Sequence, residues 1–386
     1  MFLLESALVI LTFFGAGLLC IQIFNQCHAR SLPRALERLA NAVIGGGLLV
    51  LIVFVIWYFL SGQSLSYILV DFTTPLLMIC VWLCLLMVAL LVVHTLRRPS
   101  RDQPETILEN HTMYLDLRKE LGFECMKSPA LRLLSRLPGN QLLDLHVQEK
   151  RIRIPRLPSA LEGLSIAHLT DLHFSGKATA SYFNEVIRRT NNLDADVIAI
   201  TGDLVHGADG LDGLTEVLRH LRARHGVYYV LGNHDRHVDA NQLHQQLQDV
   251  GFTPLGSRWI TRSIRGIAVI LAGNESPWFE PPADLSDCPS REIQQQLRIV
   301  LTHSPDQIPW ARCLDADIVL AGHTHGGHIS LPWIGSLVSP SRMGSHYVQG
   351  TFDLEPTVLH VSRGIFGGFP IRFNCAPELA RLELCA

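Results

Sequence analysis

Seven residues of this chain have side chains of the kinds that hold metal ions, and they come in five short blocks: Asp171-Leu172-His173, Gly202-Asp203, Asn233, His303 and His323-Thr324-His325. Each block closes a short apolar run: Leu164 to Leu169, Asp196 to Thr201, Val227 to Leu231, Leu297 to Thr302 and Ile318 to Ala321. Such runs read as strands covered on both faces. The carboxyl ends of buried strands are where α/β proteins place their ligands. Converging strand ends would gather Asp171, His173, Asp203, Asn233, His303, His323 and His325 at one rim. Seven donors are too many for one tetrahedral zinc. They suit two divalent ions if one carboxylate bridges, and with no cysteine among them the ions would be Mn, Fe or Zn rather than Cu(I). Two ions about 3.5–4 Å apart can clamp the oxygens of an in-line displacement at phosphorus and supply a hydroxide at neutral pH.

The elements that must hold these residues alternate strand, loop and helix. Helices are predicted over Tyr182 to Thr190, Leu214 to Arg222 and Gln242 to Val250, and further strands over Ile267 to Ala272 and Val358 to Ser362. This alternation gives an α/β class. Other polar residues near the blocks have structural roles in this reading. His168 packs within its strand, Asp235 caps the loop after Asn233, and Asp317 pairs locally. His237, His328 and His346 either line the rim or, more simply, are solvated, and Cys375 is packing. Three aromatic stretches, Trp278-Phe279, Trp333-Ile334 and Ile365 to Phe369, either pack as ordinary loops or form an apolar wall beside the metals, suited to a lipid-linked phosphoester or to dipping into a membrane surface.

With 386 residues, the chain has room for more than this domain. The formal net charge of −3 gives no basic field for nucleic acid, so no such partner is expected. Nine cysteines without a CxxC pair fit reduced thiols. Phe2 to Phe24, Val43 to Leu60 and Phe72 to Val93 are apolar runs close to the roughly 20 residues that cross a bilayer. They predict three transmembrane helices. Arg30, Arg34 and Arg38 follow the first run, and Arg97, Arg98 and Arg101 follow the third; the loop Ser61 to Tyr67 has no basic residue. The positive-inside rule then places the amino terminus outside and everything after residue 97 in the cytoplasm. The expected division is 1–98 transmembrane, 99–158 a juxtamembrane linker with short helices, and 159–386 the soluble domain. Within the linker, Leu108 to Leu121 reads as an amphipathic helix. Lys150, Arg151, Arg153 and Arg156 read as a basic strip that touches anionic lipid or protects an edge strand.

The blocks Asp171-x-His173, Gly202-Asp203, Gly232-Asn233-His234-Asp235, His303 and Gly322-His323-x-His325 resemble, in order, those of the calcineurin-like metallophosphoesterase superfamily. Leu157-Pro158, His325-Gly326-Gly327, Gly335 to Pro340 and Arg372 to Glu378 narrow the resemblance to its bacterial YkuE/YaeI-like branch, which includes a chlamydial UDP-diacylglucosamine pyrophosphatase. The resemblance implies an αββα four-layer sandwich. It also implies that Asp171, His173 and His325 hold one metal, that Asn233, His303 and His323 hold the other, and that Asp203 bridges. His234 would be the general acid or would steady the transferring phosphoryl group. His206 stands where the family often has a second aspartate. The expected protein is a multi-pass protein of a bacterial inner membrane that hydrolyses a phosphodiester or pyrophosphate, with a lipid-linked or nucleotide-sugar-linked substrate. An anchored phosphatase or phosphodiesterase for soluble substrates is the alternative, and a catalytically silent scaffold a further one.

Overall fold

The computed structural model describes residues 2–61, 75–174, 177–291 and 295–386. The chain divides into two compact units, Met1–Pro99 and Ser100–Ala386.

The first unit is helical. Its helices are Phe2–His28, Arg34–Ser61 and Pro75–Leu96. Gly15 lets the first helix meet the third backbone to backbone, since a Cβ there would lie 2.0 Å from Cys84 O. Two spans, Ser6–His28 and Ala35–Ser61, are long and apolar enough to cross a membrane. The third helix contributes only the shorter apolar stretch Val81–Leu96 among the described residues, so three crossings reduce to two clear ones. The loop 62–67 and the start of the third predicted run lie outside the described residues.

The second unit is built on two mixed sheets. The first takes β1 (Ile107–Asp116), β2 (Asp144–Arg153), β3 (Ser165–Leu169), β4 (Val197–Thr201), β5 (Val227–Val230), β6 (Thr253–Pro254) and β15 (Glu378–Cys385) in the order β1-β2-β15-β3-β4-β5-β6. The second takes β7 (Trp259–Ile264), β8 (Ile267–Asn274), β9 (Gln296–Thr302), β10 (Ile318–Ala321), β13 (Gly350–Leu354) and β14 (Thr357–Val361) in the order β13-β14-β10-β9-β8-β7. A small hairpin joins β11 (Ser330–Leu331) to β12 (Gly335–Ser336). The neighbours β3, β4 and β5 run parallel, as do β8, β9, β10 and β14. Their carboxyl ends therefore point the same way within each sheet.

Burial explains the apolar runs. Ile166, Val197 and Val230 of the first sheet share a core with Leu271, Ile299 and Leu320 of the second. Ala167, Ile198 and Ile200, on the opposite face of the first sheet, pack on Tyr182, Val186, Val217 and Leu243 from helices. Val300 and Val319 pack outward on Ile308, Ala311 and Leu314. All residues of β3, β4, β9 and β10 are buried. They have no solvent face, so β3, β4 and β10 read as near-continuous apolar runs.

Residues 99–158 depart from the expected linker. Leu108 to Leu121 is not one amphipathic helix: it is β1 followed by the short helix Leu117–Leu121. Antiparallel pairing with β2, from Ile107↔Ile152 to Asp116↔Asp144, outweighs local helix propensity here. The helix expected to reach Arg222 stops at Leu218. The basic strip is not on an edge strand. β2 lies inside the sheet, and Lys150 is buried between Asp102 (3.6 Å) and Glu378 (3.8 Å). Arg151 pairs with Glu109 at 2.8 Å, and Arg156 with Asp315 at 2.6 Å and Asp317 at 3.1 Å.

Glu378 gathers Arg363 Nε at 3.0 Å, Lys150 at 3.8 Å and His360 at 4.0 Å. Burial alone would raise its carboxyl pKa. Arg363, Lys150 and His360 outweigh burial and hold it down at about 2. A depressed carboxyl stabilises the fold above its unfolded pKa, roughly 4.3, and that contribution is lost as pH falls through the folded value. Glu378→Gln should cost about 3–5 kcal/mol at neutral pH, because Lys150 and Arg363 lose a buried partner. Urea melts of wild type and variant should converge as the pH is lowered from roughly 4 towards 2; a gap that stays constant would contradict this account.

Candidate metal centre

The loops after β3, β4, β5, β9 and β10 bring the five blocks together. Asp171 N donates to Gly202 O (3.0 Å) and His173 N to Asp203 O (2.8 Å), which ties the first two loops side by side. His323 N donates to Asp171 Oδ2 at 3.1 Å, and His234 N to Asp203 Oδ1 at 2.8 Å. The chain turns sharply at these points. Asp171, His173, Asp203, His323 and His325 all have φ between 46° and 69°. Aspartate and histidine tolerate this left-handed region better than most side chains do. The glycines beside them are required by space: a Cβ on Gly232 would lie 2.4 Å from Asp203 Oδ1, and one on Gly322 would lie 2.0 Å from Thr170 Oγ1.

Asp171, His173, Asp203 and His325 form one group, with a ligand atom from each lying within 4.8 Å of all the others. His173 Nε2 lies 3.2 Å from His325 Nε2 and 3.4 Å from Asp203 Oδ2, and His325 Nε2 lies 3.4 Å from Asp171 Oδ1. The remaining three residues continue from Asp203. His303 Nε2 is 3.4 Å from Asp203 Oδ1 and 3.0 Å from Asn233 Oδ1, while its Nδ1–H donates to Thr201 O at 2.7 Å. The His323 ring lies 4.8 Å from that of His303, centroid to centroid. The structure thus brings all seven predicted donors together, with Asp203 between the two groups.

Apart from half-buried Asn233, these residues are buried. Burial, reinforced by the neighbouring Asp203 charge, pushes the Asp171 carboxyl up to about 7. It drives the imidazoles of His173, His323 and His325 well below their usual range. Burial opposes charge on His303 too, yet the Asp203 carboxylate pushes that imidazole up to about 9. The pocket strongly favours positive charge at that point. Among the seven donor residues, four buried atoms have no hydrogen-bond partner: Asp171 Oδ1, Asp203 Oδ2, His323 Nε2 and His325 Nδ1. Unsatisfied buried carboxylate oxygens and neutral imidazoles are costly unless a cation meets them. The donor set fits divalent cations in nitrogen and oxygen surroundings.

His234 is half-buried at the rim. Its ring stacks on His206 at 4.7 Å and meets the edge of His173 at 4.7 Å. His206 Nδ1 is 3.3 Å from His173 Nδ1, and Lys177 Nζ is 3.5 Å from His206 Nε2. His206 therefore braces the two histidines beside it. Asp235 accepts from Gly232 N (2.8 Å) and Val205 N (2.9 Å) and clamps the loops, in line with a capping role. His168 is buried and bonded to Thr201 Oγ1 at 2.8 Å, as packing requires. Asp317 pairs with Arg291 at 2.6 Å.

Two residues have closer roles than their sequence suggests. His328 is not solvated: it is half-buried, stacks on His325 at 4.8 Å, and burial lowers its pKa to about 3. Trp278 packs its ring 4.7 Å from His323 and 5.4 Å from His303, walling that side. No spacing signal distinguishes His328 from a surface histidine. The signal for Trp278 was its place in an aromatic loop. Of the three aromatic stretches, Trp278, Ile365 and Phe366 are core, while Trp333 and Phe369 are exposed. Among the described cysteines all are free, and Cys375 is buried, donating to His325 O at 3.0 Å.

Residues 164–327 match the family model described as calcineurin-like phosphoesterase. The chain is similar to the uncharacterized metallophosphoesterase YkuE of Bacillus subtilis, 28% identical over 246 residues, which cover 62% of this chain and 85% of that protein. It is similar to phosphodiesterase YaeI of Escherichia coli, 29% identical over 228 residues, or 57% of this chain and 81% of YaeI. It is also similar to the UDP-2,3-diacylglucosamine pyrophosphatase LpxG of Chlamydia trachomatis, 24% identical over 294 residues, or 62% of this chain and 89% of LpxG.

Proposed function

The chain is a metallophosphoesterase with a calcineurin-like phosphoesterase domain, and from that premise we propose that it is a membrane-anchored, two-metal phosphohydrolase acting on a phosphodiester or pyrophosphate bond. The observation that carries this reading is the convergence of seven nitrogen and oxygen donors around buried atoms that lack partners. Asp171, His173 and His325 would hold one ion, Asn233, His303 and His323 the other, and Asp203 both. Mn, Fe and Zn suit these donors. Bound there, two such ions would neutralise charge on the transferring phosphoryl group and supply a hydroxide nucleophile at neutral pH.

The protein's own groups do the rest. Thr170 Oγ1–H donates to Asp171 Oδ2 (2.8 Å), which fixes that carboxylate and leaves Oδ1 facing the group. The hydrogen bond from His303 Nδ1 to Thr201 O turns its Nε2 inward. His234, stacked on His206, is placed to give a proton to the leaving-group oxygen. His234→Ala should lower kcat on the order of a hundredfold or more and leave metal content unchanged. If the loss shrinks for substrates with an activated leaving group, the proton-donor role is supported. An equal loss on both kinds of substrate would assign His234 to charge stabilisation instead.

The preferred substrate class is lipid-linked or nucleotide-sugar-linked. Support comes from the named activity of LpxG and from the two apolar helices. We place the protein as multi-pass in a bacterial inner membrane, with a third crossing at Pro75–Leu96 and the 159–386 phosphoesterase region in the cytoplasm, from the arginine pattern. We read its layering as αββα, supported by the core the two sheets share and by the helices packed on their other faces. The test is purification of the full chain, metal analysis, and a phosphoester panel that includes UDP-2,3-diacylglucosamine and soluble diesters. Soluble diesters turning over far faster than any lipid substrate would sink the lipid assignment. Labelling of exposed Cys313 from the outer face alone would reverse the topology.

A further inference from the structure

Ten large apolar side chains are exposed among the described residues of the second unit, and seven of them lie on three segments stitched side by side. The first segment is the helix Pro129–Leu134 and its exit, which present Leu133 and Leu137. The second is the β11–β12 hairpin, which presents Ile329, Leu331 and Trp333. Between them runs 369–373, which presents Phe369 and Phe373. Asn140 ties the first to the middle segment: its Nδ2 donates to Leu134 O (2.9 Å) and Pro370 O (3.0 Å), and its Oδ1 accepts from Arg372 N (3.0 Å). Ser330 N donates to Phe373 O and Phe373 N to His328 O, both at 2.9 Å, which ties the middle segment to the hairpin. The apolar side chains therefore stand on one connected face.

We propose that this face docks on the lipid bilayer. Trp333 is 97% exposed and sits at the hairpin tip with φ of 60°. A bulky residue is uncommon in that region of backbone space, and a fully exposed tryptophan is uncommon on a water-facing surface. The exposure is ordinary for an anchor at a membrane interface, where an indole sits at headgroup level. Lys127 and Arg136 are exposed on the flanks of the helix Pro129–Leu134, as basic residues facing anionic headgroups would be. The face also continues into the metal centre. Phe369 meets the His328 ring at 5.7 Å, and His328 stacks on His325. A phosphoester at headgroup depth would reach the metals past Phe369 while its acyl chains stay in the bilayer; this last step rests on the lipid-linked reading above.

The test uses the full chain in nanodiscs of phosphatidylglycerol and phosphatidylcholine that carry spin-labelled acyl chains. In a Cys313→Ser background, Trp333→Cys is labelled with an environment-sensitive fluorophore and compared with Glu216→Cys, an exposed site outside this face. The expected result is several-fold stronger quenching at 333 than at 216. Equal quenching overturns the proposal. So does a label at 333 that is shielded from water but unquenched by lipid, with chains that cross-link to each other, because the face would then bind a second copy. Leu331→Ser combined with Trp333→Ser should lower kcat/KM on a vesicle-borne phosphoester about tenfold and leave bis(p-nitrophenyl) phosphate hydrolysis unchanged. Equal losses on both substrates would contradict a docking role. Because quenching is read without turnover, failure of the substrate assignment is seen separately.

Discussion

Asp203→Asn should lower kcat/KM for every phosphoester substrate on the order of a thousandfold while the domain stays folded. Asparagine keeps the Oδ1 acceptor that receives His234 N at 2.8 Å, so the loop after β4 retains its anchor. What disappears is the negative charge facing His173 at 3.4 Å and His303 at 3.4 Å. Burial alone would push the Asp203 carboxyl up, yet the surrounding imidazoles, His303 foremost, hold it well below the usual carboxylate range. Its surroundings therefore favour the charged form, whereas burial disfavours it at Asp171. Metal analysis of the purified variant should show fewer than two ions per chain, with a melting temperature close to that of wild type. Full metal occupancy together with full activity would dismiss Asp203 as the bridge.

A stability effect as large as that at Glu378 is expected at Arg372. Its side chain is completely buried, and its guanidinium donates to the carbonyls of Arg363 (2.9 Å), Cys375 (3.3 Å) and Phe366. Arg372→Leu leaves three carbonyls without that donor inside the fold. Each costs roughly 1–3 kcal/mol, partly offset because a buried charge is also removed. A net loss of about 4 kcal/mol follows, read as a shifted urea midpoint. Arg372→Lys should rescue little, because an ammonium cannot reproduce the planar fork. The segment it holds also backs the metal centre. Ile365 N donates to Thr170 O (3.0 Å) and Phe366 N to Asp171 O (2.9 Å). Metal retention should therefore fall with stability. A variant that melts like wild type would refute this role.

The donors were legible because each ends an apolar run that has no other explanation. A buried strand carries no polar residue without cause, and Asp171, Asp203 and His303 stand where their strands leave the core. Pairing was not legible. β1 is mostly exposed along its length, so no inward-outward alternation separates it from an amphipathic helix. Lys150 reads as solvated because its partners, Asp102 and Glu378, are far away in sequence. His206 and His328 are ordinary histidines by composition. Only the fold brings His206 against His173 and His328 against His325.

The position of β15 has a consequence for biosynthesis. Residues 378–385 pair in parallel with β2 and antiparallel with β3, so the middle of the first sheet is closed by a strand translated after every other strand of the unit. Until it leaves the ribosome, β2 and β3 have open edges facing each other, and Glu378 is not yet there to neutralise Lys150. The metal-bearing loops are made earlier, but the sheet that aligns them cannot be completed until residues 378–385 have emerged. Nascent chains stalled before residue 378 should be protease-sensitive and depend on chaperones, whereas chains extended past residue 385 by a linker long enough to clear the exit tunnel should not.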